Sequence, residues 1–227
     1  MLRDEESTAP DETVPGDIVD AVFAISCRSL PVDHAYALSQ AIQAALPWFA
    51  EEPRAGLHTI HGAASASGWM RPEDPRALLH LSQRTKLALR LPKHRVNAAA
   101  ALLGRTLDVA GHALRVDKMA LRSLSRITNL FSRCVVLAAT GDEAAFLAAA
   151  AGELGTLGIR PGEMLCGRTT AIVTPGRTYQ ARSLMLAGLT PEQSLALQQH
   201  GLGAERKLGC GLFIPHKDIG DLRSRSD

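Results

Sequence analysis

The sequence has no long hydrophobic run. A membrane-spanning helix takes about 20 consecutive apolar residues, and no window approaches that length although 46% of the 227 residues are hydrophobic. Residues 1–16 are acidic and have no apolar core, so they do not resemble a signal peptide. We therefore expect a protein without a membrane partner.

Cysteine is scarce, and the four cysteines lie far apart without a CxxC pair: Cys27, Cys134, Cys166 and Cys210. This spacing argues against a disulfide framework and against a structural zinc site, and it fits a reducing compartment. No histidine pair has the HExxH spacing typical of a catalytic zinc site. We therefore predict a cytoplasmic protein with no metal and no cofactor.

Aromatic residues make up only 4% of the chain, so base stacking on an aromatic platform should contribute little to any RNA binding. The net charge of +2 is also small for a nucleic-acid-binding protein. The distribution of charge matters more than the sum. Acidic residues concentrate in 4–12, within a segment that we interpret as a disordered lead-in over 1–16, and the remaining chain is basic.

Hydrophobic periodicity predicts the element order βαββαβ in the first half of the chain. An apolar run over 21–26 indicates a strand, and Asp33 is placed to cap a helix that Pro47 ends. The other predicted elements are strands over 57–61, 87–91 and 112–117 and a helix that begins at Pro92 and ends at Gly104.

The second half repeats this order. A strand over 133–139 precedes an alanine-rich helix opened by Asp142, and a hairpin over 169–186 follows it. Thr190-Pro191-Glu192-Gln193 is a capping box that begins the last helix, before a strand over 212–214. The fold class is thus α+β, with tandem ferredoxin-like plaits over 17–117 and 118–216 and a tail over 217–227.

A glycine-rich loop, HGLGAERKLGCGLFIP over 200–215, precedes the last strand of the second plait. Glycines permit positive φ and close backbone approach, so successive N–H groups could point at one phosphate. Arg206 and Lys207 would add positive charge. The alternative is a helix C-cap followed by a flexible turn. Because the loop precedes a strand rather than a helix, it is neither a Walker loop nor a dinucleotide fingerprint, and a chain-like phosphate ligand such as RNA fits it best.

GLGAERKLGCGLFIP over 201–215 resembles the C-terminal glycine-rich motif of the RAMP-superfamily CRISPR repeat-RNA endoribonucleases. The resemblance extends through LPVDHAYAL (30–38), GLHTIHG (56–62), LLGRTLDVAGHALRV (102–116) and GLTPEQSLALQQHGLG (188–203), and it is closest to the myxobacterial type I subtype. It implies two ferredoxin-like domains, cleavage of CRISPR precursor RNA without metal, and retention of the product with other subunits of an effector complex.

Cutting RNA without metal requires groups that transfer protons to and from the 2′-OH and the leaving oxygen, and histidine suits this near neutral pH. His34 lies at the start of the first helix, where the dipole attracts phosphate and favours a neutral imidazole. The family's catalytic histidine is commonly found near this position, whereas the alternative for His34 is an exposed helix-start residue. Tyr36 either bonds the phosphate or packs. His58 and His61 should point to opposite faces of a strand, so at most one of them faces the site. We select His58 as a catalytic candidate beside His34 and Tyr36.

Basic side chains that could contact an RNA backbone fall into three groups. The residues predicted to bind RNA are Gly201, Gly203, Arg206, Lys207, Gly209 and Gly211 in the loop, Arg84, Lys86 and Arg90 along one strand face, and Arg122, Arg126 and Arg133 further on. Each basic group could instead be a solvated surface. Two other functions stay open: a non-catalytic RNA-binding subunit of the same superfamily, and a small-ligand or regulatory protein with this fold.

Overall fold

Two larger antiparallel sheets and a two-stranded one organise the chain in the computed structural model, which describes residues 17–61, 72, 74, 77–138 and 142–216. The predicted lead-in over 1–16 and the tail over 217–227 lie outside these residues. Within the described ranges, every helix is too short or too polar to cross a membrane.

The described residues of the first unit form ten α-helices and β-strands. In chain order they are β1 (Ile18–Ser26), β2 (Ser29–Pro31), α1 (Ala35–Ala45), α2 (Trp48–Glu51), β3 (Gly56–His58), β4 (Leu78–His80), β5 (Lys86–Pro92), α3 (Val96–Ala99), β6 (Thr106–Val109) and β7 (His112–Ser123). The main sheet has the order β3-β5-β1-β7-β6, and β2 pairs with β4. Alternate residues of β1 and β5, such as Phe23 and Leu89, are fully buried against α1. The opposite face of this sheet is turned toward the second unit.

The second unit contains β8 (Leu130–Val135), α4 (Glu143–Thr156), β9 (Glu163–Thr174), β10 (Arg177–Ala187), α5 (Pro191–His200) and β11 (Ile214–Pro215). Its sheet has the order β11-β8-β10-β9. The Asp142 side chain accepts a hydrogen bond from the Ala145 N–H, and Thr190 and Gln193 form the predicted capping box. Phe146, Leu154 and Leu197 pack against one face of the sheet and form a second core.

In both sheets the first and third strands of a βαββαβ unit lie side by side, flanked by the second and the fourth, and in the first sheet β6 adds an edge strand beyond β7. This is the strand order of the ferredoxin-like plait, so the predicted tandem fold is confirmed. The boundary predicted at Asp117 is wrong, because β7 continues through this residue to pair Ser123 with Val19. The chain crosses between the units over 124–129.

Two helix predictions also require correction. The helix predicted from Pro92 to Gly104 is only α3, four residues long, between 3₁₀ turns at Lys93–Arg95 and Ala100–Leu102. At the start of α1, the capping position is held by His34 rather than by Asp33, and no side chain caps the helix.

Candidate interdomain RNA site

The glycine-rich loop is packed tightly between the two units. Gly209 has a φ of +90°, and a Cβ there would lie 3.0 Å from the Leu57 oxygen of β3, so the position excludes other side chains. The loop amides bond protein acceptors: the N–H of Gly201 donates to Leu197 O, that of Gly203 to Glu153 Oε2, and that of Gly211 to Cys134 O. The N–H groups of these glycines are therefore engaged by protein acceptors and are not free for the predicted phosphate nest.

Arg206 and Lys207 bind the first unit through its backbone. Lys207 Nζ donates to Ala55 O at 2.8 Å and to Glu52 O, and it lies 4.7 Å from the centre of the Phe49 ring. The Arg206 guanidinium donates to Arg54 O and to carbonyls at the end of α5. Burial lowers the pKa of Arg206 to about 10 and that of Lys207 to about 8. Both side chains thus fasten the loop to the first unit.

Arg90 forms a second connection between the units. Its guanidinium forms a bidentate ion pair with Asp20, with nitrogen–oxygen distances of 2.8 and 3.1 Å, and Nη1 donates to Gln198 O and Phe213 O of the second unit. Because Arg90 is only 1% exposed, the prediction that it belongs to an open basic face is wrong. Arg84 and Lys86, from the same predicted group, are exposed.

His58 belongs to this buried network. Its Nε2 lies 3.4 Å from Asp20 Oδ1. Burial lowers the pKa of His58, although the Asp20 carboxylate opposes the shift. Burial alone would raise the pKa of Asp20, but the charges of Arg90 and His58 hold it well below its ordinary value. The contact between His58 and Asp20 supports the joint between the units.

His34 is buried and bonds the backbone through both ring nitrogens. Nδ1 lies 2.8 Å from Pro31 O, and Nε2 accepts from the Ile60 N–H at 3.2 Å. One nitrogen faces an acceptor and the other a donor, an arrangement that matches an imidazole with its proton on Nδ1. At 3% exposed, His34 is not the exposed helix-start residue of the alternative interpretation. Tyr36 packs against the apolar cluster between the units, beside Cys134 and Ile172.

His61 and Arg133 are brought together by the docking of the units. Both line a cavity of about 210 Å³ between the first unit and the open face of the second sheet. Both also line an adjacent cleft that contains His58, Arg122 and Gly209, so they lie where cavity and cleft meet. Thr59 Oγ1 lies 3.0 Å from His61 Nε2, and the Arg133 guanidinium lies 5.7 Å from the centre of the Phe131 ring.

Sequence reasoning passed over His61 because it treated 57–61 as one strand with strict alternation. In the structure β3 ends at His58, so alternation no longer applies to His61, and both histidines line the same cleft. The prediction that at most one of them faces the site is therefore wrong. The sequence gives no indication that the strand ends at His58, and this end is what would have identified His61 as a candidate.

The other predicted residues lie around this cleft or farther away. Arg122 lines the cleft with its side chain 60% exposed and its guanidinium 2.9 Å from Asp20. Arg126 pairs with Glu192 on α5. Within the described ranges, no three His, Cys, Asp or Glu side chains are grouped closely enough to hold a metal ion.

Comparison with known proteins identifies a family match over nearly the whole described chain. The family model described as Cas6 Crispr matches residues 19–218. The chain is 34% identical to the CRISPR-associated endonuclease Cas6 of Myxococcus xanthus (strain DK1622) over 197 residues, which is 87% of this chain and 81% of that protein.

Solved structures share the fold at low sequence identity. A structure described as CRISPR associated protein Cas6 has a TM-score of 0.61 at 11% identity, and an RAMP protein binding different RNA substrates has 0.62 at 12%. The product of a Cas6-related gene from Pyrococcus furiosus has 0.61 at 12%. Each comparison covers 88% of this chain and 99% of the solved one.

Proposed function

This chain belongs to the Cas6 family, and from that membership and the interdomain site we propose that it is an endoribonuclease that cuts the repeat hairpins of CRISPR precursor RNA. The Myxococcus xanthus relative carries the name of an endonuclease. The observation that supports the activity is the placement of a histidine and an arginine, His61 and Arg133, at the opening between the two plaits.

The proposed chemistry uses the RNA's own 2′-OH as nucleophile and needs no metal. His61 exchanges a proton with the 2′-OH or with the leaving 5′ oxygen, a role for which the pKa of imidazole is suited. Arg133 stabilises the negative charge that develops on the phosphate. The product is a 2′,3′-cyclic phosphate, and DNA does not react because it lacks the 2′-OH.

His34 serves this proposal as a positioning residue. Its Nε2 accepts the Ile60 N–H, one residue before His61, and its Nδ1 side is held by Pro31. Proton transfer through Nε2 of His34 would require its bond to the Ile60 N–H to break. Its geometry therefore supports a role in holding the 59–61 segment, and His61 replaces His34 and His58 as the proposed proton-transfer group.

Product retention is proposed to depend on exposed basic side chains around the cleft. Arg84 and Lys86 are exposed beside the first sheet, and Arg122 lines the cleft itself. Such side chains bind an RNA backbone through charge without reading sequence. A bound guide would then be available to other subunits of an effector complex.

The test is cleavage of repeat RNA by the purified protein in EDTA. We expect one specific cut, its loss when the 2′-OH upstream of the cut is replaced by hydrogen, and nearly unchanged binding of that deoxy RNA. His61→Ala should lower the single-turnover rate at least about a hundredfold, with His80→Ala, at an exposed position, as the control.

Three results would contradict parts of this proposal. Tight, specific binding without any cut would identify a non-catalytic RNA-binding subunit instead. Cleavage that requires an added divalent cation would exclude the metal-free route. Full activity in His61→Ala would remove this residue from the chemistry.

A further inference from the structure

We propose that the cavity beside His61 and Arg133 binds one nucleobase next to the scissile phosphate, so that the protein reads a base at its cut site. The inference rests on the proposed function, which supplies the RNA, and it adds a recognition site to it. Nothing in the proposed chemistry requires this cavity, because proton transfer and charge stabilisation involve only groups at its opening.

The location of the cavity places it within one nucleotide of the chemistry. Its walls come from both units: Val32 and Leu79 belong to the first, and Phe131 and Ile172 to the second. His61 and Arg133 line both the cavity and the adjacent cleft. A base is attached to the same sugar as the phosphate that these two residues would contact, so it reaches the cavity without further chain.

The size and walls of the cavity fit a single base. Its volume of about 210 Å³ is many times the roughly 10–15 Å³ that a cavity needs to hold one water. It is below the roughly 300 Å³ at which pockets for drug-sized ligands begin. Its lining includes apolar side chains from both units, Val32 and Leu79 from the first and Phe131 and Ile172 from the second. A planar base extruded from its stack requires such apolar walls on both faces.

Hydroxyl groups on the second sheet supply polar contacts for the edge of a base. Thr170 on β9 and Ser183 on β10 both line the cavity. The pairings of β10 with β8 and with β9 both shift register between Arg182 and Leu184, so Ser183 lies at an irregularity in each pairing. Such bulges re-aim side chains beside functional sites. A hydroxyl both donates and accepts, so it can discriminate between bases.

The absence of a side chain at Gly167 independently supports a role for the Ser183 hydroxyl. A Cβ on Gly167 would collide with Ser183 Oγ, and the φ of Gly167 is not in the left-handed region that requires glycine. Glycine at this position therefore leaves space for the serine side chain rather than serving a turn. Gly167→Ala should therefore move the Ser183 hydroxyl to another position without removing it from the protein.

The experiment is an abasic scan of the repeat RNA with wild-type protein and with Ser183→Ala. Cleavage rate is measured on the ordinary RNA, and dissociation constants are measured on the RNA whose 2′-OH at the cut is removed. We expect one position next to the cut at which loss of the base lowers rate or affinity about tenfold or more. At that position Ser183→Ala should have no further effect, because both changes remove the same contact.

Filling the cavity gives a second test with a matched control. Ile172 is 5% exposed and lines the cavity, whereas its neighbour Val173 is 52% exposed. Ile172→Trp should abolish the dependence on the sensitive base, and Val173→Trp should preserve it. If Ile172→Trp does not fold, as judged by denaturant unfolding, Gly167→Ala takes its place.

The two proposals fail in different ways. The base site is refuted if the loss of rate or affinity at every abasic position is as large in Ser183→Ala as in the wild type. That result would leave the endoribonuclease proposal unaffected. If no repeat RNA is cut but one abasic position still lowers affinity in a Ser183-dependent way, the base site stands and the endoribonuclease proposal falls.

Discussion

Two sets of charged side chains lie between the plaits, and they differ in their access to solvent. In the joint, Asp20 and Arg90 are buried, and the Arg90 guanidinium binds Asp20 and two carbonyls of the second unit. At the rim, Arg133 and Arg122 are exposed beside His61. The comparison shows that a basic residue between the two plaits can stabilise the fold instead of being available to a ligand.

The largest expected effect comes from breaking the joint. Arg90→Ala leaves the Asp20 carboxylate buried with only His58 and Arg122 beside it. Removing one partner of a buried ion pair costs about 3–5 kcal/mol, and the free energy of unfolding in urea should fall by this amount. Lys86→Ala, on the same strand but exposed, should change it by less than about 0.5 kcal/mol. If the two variants lose the same free energy of unfolding, the Arg90 contacts between the units do not stabilise the fold.

Gly209→Ala should have the next largest effect, because it combines strain with a backbone clash. A residue forced to positive φ costs about 1–3 kcal/mol. Gly111→Ala is the control: its φ is +82° but a Cβ there meets nothing within 4 Å. We expect Gly209→Ala to lose more stability than the control, and also RNA cleavage, since Leu57 and Thr59 lie against it. If Gly209→Ala and Gly111→Ala lose the same stability, contact with Leu57 and Thr59 does not constrain position 209.

The pH dependence of stability should report on the His58–Asp20 pair. Folding lowers the pKa of His58 below its ordinary 6.5 through burial. The unfolded chain therefore binds more protons below that pH, and stability falls as pH drops through this range. The low pKa of Asp20 adds a further loss only below about 3.8. Unfolding midpoints from pH 7 to 5 should decline less steeply in His58→Gln than in the wild type or in His80→Gln.

The smallest effect concerns RNA binding as a function of salt. Removing one phosphate contact lowers the slope of log affinity against log salt by about 1. Lys86→Ala should show this reduction if Lys86 contacts the backbone. Lys207→Met should leave the slope unchanged, because the ammonium group is directed to Glu52 and Ala55 carbonyls. The reverse outcome would return Lys207 to the RNA-binding surface and remove Lys86 from it.

The sequence predicted the two plaits because their signals are local. Alternation along β5, the capping box at Thr190 and the helix opened by Asp142 each depend on residues a few positions apart. The same local reasoning misplaced the domain boundary, since nothing near Asp117 reveals that β7 continues to pair with β1 as far as Ser123.

The site, by contrast, was decided by how the plaits pack together. From sequence, Arg84, Lys86 and Arg90 look alike, and only the docking of the second unit over Arg90 distinguishes them. Docking likewise gave Arg206 and Lys207 backbone partners and brought His61 to Arg133. Secondary structure follows from neighbouring residues, whereas desolvation of a charge depends on surface contributed by residues 100 or more positions away, as the 108-residue separation of Arg90 and Gln198 shows.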